Sequence, residues 1–440
     1  MKKISRIWIV FIGILAACGS NSLAAEYDYI NISNPFLNKI PLAVPLFRPM
    51  AESGAEVKMA GDASVLLADT LEFTGFFKIL DRGSFLEDPS KKGIVSSRIN
   101  FRNWRTIGAE LLITGGVLIH NDKVEMELRL FDTFKEKLII GKRYKGTPDD
   151  MRRMVRRFSR EIIYRLTGNI GIFESKIAFV SSTTGTKELY LCDFDGYQPE
   201  KITKSSKLTF APAWSSDGKY IAFTSYARGK PDLFIKNLSG KHGAVVDFQG
   251  VNLTPCWVPG KFELAATLSF SGDQEIYLLT GTGKIIKRLT NQWDIDVSPS
   301  FSPDGKKMAF VSRRSGSPQI HIMDMVSGSV TRLTFNGRYN TSPTWSPEGN
   351  KIAYVGMVQN EINIYLIDSK GGAPIQLTQS SGDNEFPTWS PDGSLLAFSS
   401  TREGISRIYV MTAFGTDQRR LLTMPGEQSS PRWSPAEIKN

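Results

Sequence analysis

The sequence has few of the residues on which catalytic and metal sites most often depend. It contains 3 histidines and 3 cysteines among 440 residues, and it has no Gly-x-Ser-x-Gly motif to carry a hydrolase nucleophile. Carboxylates are plentiful enough to leave a glycosidase-like pair open, but no loop has the ligand spacing of a dedicated calcium site. We therefore expect no catalytic residue and no cofactor, while a bound metal stays undecided. Cys192 and Cys256 lie in apolar strand-like segments and are expected to be buried free thiols.

Long apolar runs are also missing, apart from one near the N-terminus. Residues 7–17 are apolar, follow three basic residues and precede small and polar ones. A bilayer span needs about 20 apolar residues, so this run is too short to cross a membrane. The layout predicts a signal peptide over residues 1–25, cleaved after Ala24 or Ala25, and a periplasmic protein with no membrane span.

A second interpretation of the N-terminus stays open. Leu15, Ala16, Ala17 and Cys18 resemble a bacterial lipobox, which would place a lipid on Cys18 and anchor the protein. A small-residue cleavage site follows so closely that we expect the soluble form, which begins near Glu26.

The positive charge of the chain does not point to nucleic acid. Lys and Arg number 54 and Asp and Glu number 44, an excess that would suit nucleic-acid binding in a cytosolic protein. We expect the protein to be exported from the cytosol, and an exported protein would not meet nucleic acid there. Part of the excess is a run of arginines with helical spacing, which we interpret as a solvated helix face rather than a phosphate site. These residues are Arg152, Arg153, Arg156, Arg157, Arg160 and Arg165.

An internal repeat occupies the C-terminal part of the chain. An aromatic residue in the pattern Pro-x-aromatic recurs about every 44 residues, and a turn follows it. These aromatic residues are Trp214, Trp257, Phe301, Trp345, Trp389 and Trp433. The turn reads Ser-Pro-Asp-Gly at residues 302–305 and 390–393, where Pro fixes the first corner and Gly accepts a positive φ. We interpret Asp304 and Asp392 as turn residues that accept local backbone N–H groups.

Each repeat predicts four short strands, which match one propeller blade. Six repeats therefore predict a six-bladed β-propeller. The chain enters it at an Ile-Ala-Phe strand, residues 177–179, and ends just after Trp433. Residues 431–434 are expected to pair with the first repeat as its inner strand, which closes the ring and removes two exposed edges.

The residues before the repeats predict a small α/β domain. Helical patterns cover residues 58–73 and 148–167, and alternating segments indicate strands around them. The strands are expected at residues 40–46, 76–80, 111–120, 124–131 and 138–144. The fold class is thus α+β multi-domain, with an α/β domain at 26–167, a linker at 168–174 and the propeller at 175–440.

This combination of domains resembles the TolB family of the Tol-Pal system. The similar stretches are residues 107–117 (IGAELLITGGV), 164–168 (YRLTG), 187–196 (KELYLCDFDG) and the repeated Pro-x-Trp-Ser-Pro-Asp-Gly. The repeat alone also occurs in propellers attached to peptidases, but its combination with this N-terminal domain is specific to the family. The resemblance implies a non-enzymatic periplasmic scaffold, which we expect to be monomeric. An envelope hydrolase or lyase and a lipid-anchored assembly factor are the alternatives.

The resemblance also implies two partners and two sets of contact residues. The propeller would bind the OmpA-like lipoprotein Pal, and the mature N-terminus would bind TolA, in support of outer-membrane integrity and invagination during cell division. The Pal candidates lie in varied loops beside the channel mouth that precede each Pro-x-aromatic, and we expect them to be exposed. They are Asn252, Thr254, Asp296, Ser298, Asn340, Thr341, Asn384 and Glu385. The TolA candidates, suited to pairing with a partner's sheet edge or to an ordinary edge strand, are Glu26, Tyr27, Asp28, Tyr29, Ile30, Asn31 and Ile32.

Overall fold

The computed structural model describes residues 39–436, except 52, 205–206, 241–242 and 380–381. Within these residues the chain forms one 6-stranded sheet with helices, followed by six 4-stranded sheets. The predicted signal peptide, Cys18 and the TolA candidates at residues 26–32 lie outside the described residues.

The α/β domain is built on a mixed sheet. Its elements are β1 (Ile40–Ala43), β2 (Arg48–Pro49), α1 (Gly54–Phe73), β3 (Phe77–Ile79), α2 (Pro89–Lys92), α3 (Phe101–Thr106), β4 (Leu111–His120), β5 (Lys123–Asp132), β6 (Lys137–Gly146) and α4 (Met151–Thr167). The strand order is β3-β1-β4-β5-β6, with β2 beside β4. Strand β1 is parallel to both of its neighbours, whereas β4, β5 and β6 form the predicted antiparallel meander. The short helices α2 and α3 were not predicted.

Side-chain alternation gives this sheet two buried faces. Leu42 and Ile113 pack in the cluster that contains α1 and α4, while Ala43 and Leu112 pack with Trp104 of α3. Successive residues of a strand point to opposite faces, so both sides of the sheet are covered.

The propeller strands follow in chain order. They are β7 (Lys176–Ser181), β8 (Glu188–Asp193), β9 (Glu200–Lys201), β10 (Thr209–Trp214), β11 (Tyr220–Ser225), β12 (Asp232–Asn237), β13 (Gly243–Val246), β14 (Asn252–Trp257), β15 (Glu263–Leu268), β16 (Glu275–Thr280), β17 (Ile285–Arg288), β18 (Asp296–Phe301), β19 (Lys307–Ser312), β20 (Gln319–Asp324), β21 (Val330–Arg332), β22 (Tyr339–Trp345), β23 (Lys351–Val358), β24 (Glu361–Asp368), β25 (Ile375–Gln376), β26 (Asn384–Trp389), β27 (Leu395–Ser400), β28 (Arg407–Thr412), β29 (Arg419–Arg420) and β30 (Gln428–Trp433). Five blades take four consecutive strands each, and the sixth has the order β30-β7-β8-β9. The six-bladed propeller is confirmed.

The C-terminal strand closes the ring as predicted. Strand β30 pairs antiparallel with β7, which places Gln428 opposite Ser181 and Trp433 opposite Ile177. The indole Nε1 of Trp433 donates a hydrogen bond to Ser175 Oγ at 2.7 Å. The first and last strands of the propeller therefore lie in the same blade, and their pairing closes the ring.

The α/β domain and the propeller share one apolar cluster. Ile172 and Phe173, within the predicted linker at residues 168–174, are buried in it. The rings of Phe73 in α1 and Phe194 in the propeller meet edge to face, with centroids 5.4 Å apart. The two domains are thus packed against each other through a buried interface.

Charged side chains of α4 also join the domains. Arg152 forms an ion pair with Asp195, and Arg156 forms one with Asp193. The prediction of a solvated helix face is therefore wrong for these two arginines. The error arises because their acidic partners lie in a propeller loop about 40 residues further along the chain, which helical spacing alone does not reveal.

Candidate functional site

The propeller has two faces with different loops. Because the strands of each blade alternate in direction, the loop between the second and third strands lies at the same end as the connection into the next inner strand. We call this end the entry face; it comprises segments 269–274 and 289–295 and their equivalents in the other blades. The opposite end, the turn face, comprises segments 302–306 and 325–329 and their equivalents.

The α/β domain packs on the turn face. Arg419 donates a hydrogen bond to the carbonyl oxygen of Phe73, and its guanidinium lies 4.4 Å from the centroid of that ring. Lys39 and Asp417 form an ion pair at 2.6 Å beside it. Of the two partners of α4, Asp193 ends β8 and Asp195 lies in the equivalent loop of the first blade. This face is therefore where the two domains meet.

The entry face exposes large apolar side chains. They are Leu208, Phe270, Trp293, Phe335, Tyr339, Val358 and Ile405. Trp293 and Phe335, which lie just before inner strands, are 85% and 70% exposed. Exposed aromatic residues on one face of a protein are typical anchors of protein–protein interfaces. The sequence analysis missed both residues, although each is an aromatic residue in a polar loop.

The expected exposure is wrong for four of the Pal candidates. Asn252, Asp296 and Asn384 are the first residues of β14, β18 and β26, Asn340 is the second residue of β22, and none of the four is more than 1% exposed. They lie beneath the entry face, where the inner strands begin. Loop position in the sequence suggested exposure, but the strands start three or four residues before the Pro of the Pro-x-aromatic pattern.

These buried side chains join neighbouring blades. Asn340 Nδ2 donates to Gln319 Oε1 at 2.8 Å and to the carbonyl oxygen of Asn336 at 2.7 Å. Asn384 Nδ2 donates in the same way to Asn363 Oδ1 at 3.1 Å. Gln319 and Asn363 lie near the start of the third strands of the preceding blades, β20 and β24. Gln319 Oε1 and Asn363 Oδ1 each also accept a hydrogen bond from a threonine of their own blade, so each buried amide adds a second donor across the blade boundary.

The junction between Glu275 and Asp296 departs from this pattern, because both residues are acids. Asp296 Oδ2 accepts a hydrogen bond from Arg314 at 2.7 Å, and Glu275 Oε1 accepts one from Arg288 at 2.9 Å. The remaining oxygens, Asp296 Oδ1 and Glu275 Oε2, are buried and have no hydrogen-bond partner among the described residues.

The equivalent junction at Asn384 explains why Asp296 Oδ1 lacks a partner. In Asn384, Oδ1 accepts from Arg402 at 3.1 Å while Nδ2 donates across the blade boundary. Asp296 Oδ1 therefore occupies the position where Asn384 has a donor. Burial raises the pKa of Asp296, and the charge of Glu275 adds to this effect, against hydrogen bonds from Ser312 and Arg314.

The other four Pal candidates lie closer to the channel. Thr254 and Ser298 have φ values of 45° and 56°, at a β-bulge that recurs in every inner strand. Both line a channel cavity of about 70 Å³. Thr341 and Glu385 each lie one residue before the equivalent bulge residue of their strand, and both are partly buried. Burial, aided by Asp383, raises the pKa of Glu385.

The described residues do not assemble a metal site. None of their His, Cys, Asp and Glu side chains form a group of three or more that could hold a metal ion. Burial lowers the pKa of His321 to about 4, so its ring is neutral in ordinary buffers, and its Nδ1 lies 3.1 Å from the carbonyl oxygen of Gln319. Cys192 is buried, Cys256 is partly buried, and both are free thiols. None of the described helices is long and apolar enough to cross a membrane.

Comparison with known families identifies the chain. A model described as the TolB amino-terminal domain matches residues 28–139, and a model described as the TolB beta propeller domain matches residues 163–437. The second match covers more than half of the chain. The chain belongs to the TolB family.

Individual relatives agree with this membership. The Tol-Pal system protein TolB of Desulfosudis oleivorans is 59% identical over 279 residues, which are 63% of this chain and 64% of that protein, just under two thirds of its length. The TolB homolog of Chlorobium luteolum is 40% identical over 301 residues, 68% of each chain. The crystal structure of TolB from Acinetobacter baumannii matches with a TM-score of 0.79 and 28% identity, over 91% of this chain and 97% of that one.

Proposed function

We propose that this TolB-family protein is a non-enzymatic scaffold of the Tol-Pal system in the periplasm. It binds a Pal-like lipoprotein of the OmpA family through the entry face of the propeller, and TolA through residues 26–32. By holding both partners it supports outer-membrane integrity and the invagination of that membrane during cell division. Membership of the family supports the assignment to the system.

The contrast between the two faces carries the choice of binding surface. The turn face holds the α/β domain and regular turns, whereas the entry face exposes Trp293 and Phe335 in loops that lead into inner strands. Aromatic side chains of this kind supply much of the binding energy in protein interfaces. Thr341 and Glu385 are partly buried polar residues in the first half of the inner strands that begin at this face. The buried asparagines beneath this face hold the blades together and support the loops from below.

The test is a double variant, Trp293→Ala with Phe335→Ala. We expect its affinity for the periplasmic domain of the Pal-like lipoprotein from the same genome to fall by about 30-fold or more, because an interface anchor contributes about 2 kcal/mol. Isothermal titration calorimetry measures the affinity, and a thermal melt shows that the variant is folded.

A matched control lies on the opposite face. Val326 is 88% exposed in the link between β20 and β21, and Val326→Ala should leave the affinity unchanged. A folded double variant that binds as tightly as the Val326→Ala control would show that the entry face is not the binding surface.

The TolA assignment is tested separately, by deleting residues 26–32 from the mature protein. TolA association should be lost and association with the Pal-like domain kept, since the two sites are on different parts of the chain. Retention of TolA association by the deleted protein would overturn this assignment without affecting the entry face.

A further inference from the structure

Arg432 breaks the symmetry of the propeller channel. The penultimate residue of every inner strand lies opposite an alanine of the second strand of its blade. In the other blades this residue is small: Ala213, Cys256, Ser300, Thr344 and Thr388. The strand that closes the ring has Arg432 instead. A long cationic side chain therefore occupies a position where the repeat otherwise keeps the channel open.

This arginine lines the channel cavity of about 70 Å³. Among the described residues that line it, Arg432 is the one with a formal charge. The other lining side chains are apolar or carry hydroxyl groups, the latter from Thr254, Ser298, Ser342 and Ser430. The cavity thus combines one cation with several neutral hydrogen-bonding groups, and it is large enough for several water molecules or a small polar group.

The positive charge of the Arg432 guanidinium has few partners among the described residues. Its hydrogen bond to the described residues runs from Nη1 to the carbonyl oxygen of Pro387 at 3.3 Å, and no described carboxylate forms an ion pair with it. Elsewhere in the propeller, Arg288 and Arg314 pair with Glu275 and Asp296 at 2.9 and 2.7 Å. Burial lowers the pKa of Arg432, the direction expected when a cation loses water without gaining a partner.

We propose that Arg432 is the anchor of a carboxylate-binding site in the channel. The planar guanidinium presents N–H groups that match the two oxygens of a carboxylate, and nearby hydroxyls such as those of Ser298 and Ser342 can donate to the same oxygens. The carboxylate has two sources: a small free carboxylate, or an acidic side chain of the partner bound at the entry face. The second source rests on the proposed function; the site itself does not.

The first arm of the test uses sodium acetate as the probe. Acetate replaces chloride stepwise at constant sodium concentration, and thermal melts are recorded for the mature protein and for Arg432→Gln. We expect acetate to raise the melting temperature of the unaltered protein by about 2 °C more than that of the variant, because a ligand that binds the folded state stabilises it. An equal rise in both proteins would overturn the proposal.

A second variant guards against a folding defect in Arg432→Gln. Ala211 lines the same cavity on the neighbouring inner strand and has a φ of 51°, a conformation that Asp tolerates better than most residues. Ala211→Asp places a permanent carboxylate beside Arg432. We expect this variant to melt at a higher temperature and to lose the acetate response; a full acetate response in the folded variant would contradict the proposal.

The second arm identifies the source of the carboxylate. If the partner supplies it, Arg432→Gln weakens binding of the Pal-like domain by at least about 10-fold, and acetate competes with that domain for the unaltered protein. If affinity is unchanged while the acetate effect depends on Arg432, the site takes free carboxylates. Failure of the unaltered protein to bind the Pal-like domain would overturn the proposed function and leave the acetate result standing.

Discussion

The entry face and the turn face are built from the same repeat, yet different interactions determine their structures. On the turn face, Ser302 Oγ accepts a hydrogen bond from Lys307 N–H at 2.9 Å and Asp304 Oδ1 accepts one from Lys306 N–H at 3.1 Å. Ser390 makes the equivalent bond at 2.9 Å. Such bonds link residues at most five positions apart, so each turn determines its own structure.

The entry face is held by bonds of longer range. Its buried layer joins Asn340 to Gln319 and Asn384 to Asn363, across blade boundaries and about 20 residues apart in the chain. The loops above this layer carry exposed side chains such as Trp293. The turn face therefore repeats because each turn is determined locally. The entry face can vary at its surface because a buried layer of hydrogen bonds fixes it from below.

The largest expected effect comes from removing the strand on which both faces depend. Truncation after Glu427 deletes β30, which exposes β7 and removes the hydrogen bond of Trp433 to Ser175. We expect loss of the cooperative thermal transition, measured by circular dichroism, because a propeller with an open ring has unpaired strand edges. A chain that ends at Ala436 keeps β30 and is the control. A truncated protein that melts within about 2 °C of this control would show that closure does not stabilise the ring.

A smaller effect separates the buried layer from the surface above it. Asn340→Ala removes the donor to the carbonyl oxygen of Asn336 and one of the two donors to Gln319 Oε1, and we expect it to lower the free energy of unfolding by about 2 kcal/mol. Thr341→Ala, at the adjacent and partly buried position, should cost about 0.5 kcal/mol or less. Urea denaturation measures both. Equal costs would mean that the layer does not hold the entry face.

The sequence predicted the locally determined parts of the molecule and missed the others. The turns at Ser302 and Ser390, the six blades and the closing strand follow from repeat period and turn chemistry, which short segments encode. The burial of Asn252 could not be predicted, because its partner Asp232 belongs to another blade. The same reason applies to the ion pairs of Arg152 and Arg156 with the propeller.

The exposed aromatic residues were missed for a different reason. Trp293 and Phe335 lie in the predicted loops, but the candidates there were chosen for polarity, since polar residues are usual in loops. A large apolar residue within a polar loop is the rarer signal, and it points to an interface more directly. Selecting Trp293 on this basis would have required no structure.

The smallest effect compares a single acid on each face. Because the pKa of Asp296 is raised, the folded protein holds a proton that the unfolded chain releases, so stability falls as the pH rises from the unfolded pKa through the folded pKa of Asp296. Asp296→Asn provides a donor toward Glu275 and should remove this decline in stability. We expect the free energy of unfolding to rise by about 1 kcal/mol at neutral pH. Urea denaturation between pH 4 and 8 measures the change.

Asp304 on the turn face is the matched control with the opposite sign. Hydrogen bonds from Ser302 and Lys306 N–H lower its pKa, so its contribution to stability is present above the unfolded pKa and is lost as the pH falls through the folded pKa. Asp304→Asn should therefore destabilise the protein at neutral pH. If both variants changed stability in the same direction at neutral pH, the electrostatic difference between the faces would be wrong.

Hydrogen exchange of the mature protein, with and without the Pal-like domain, tests the central claim most directly. The entry face should gain protection on binding at residues 269–274, 289–295 and 333–338, because their backbone amides lie in or beside the interface. The turn face, at residues 302–306 and 346–350, should exchange at the same rate in both samples. Protection of the turn segments without protection of the entry segments would contradict the account, because it would place the partner on the face where the α/β domain packs.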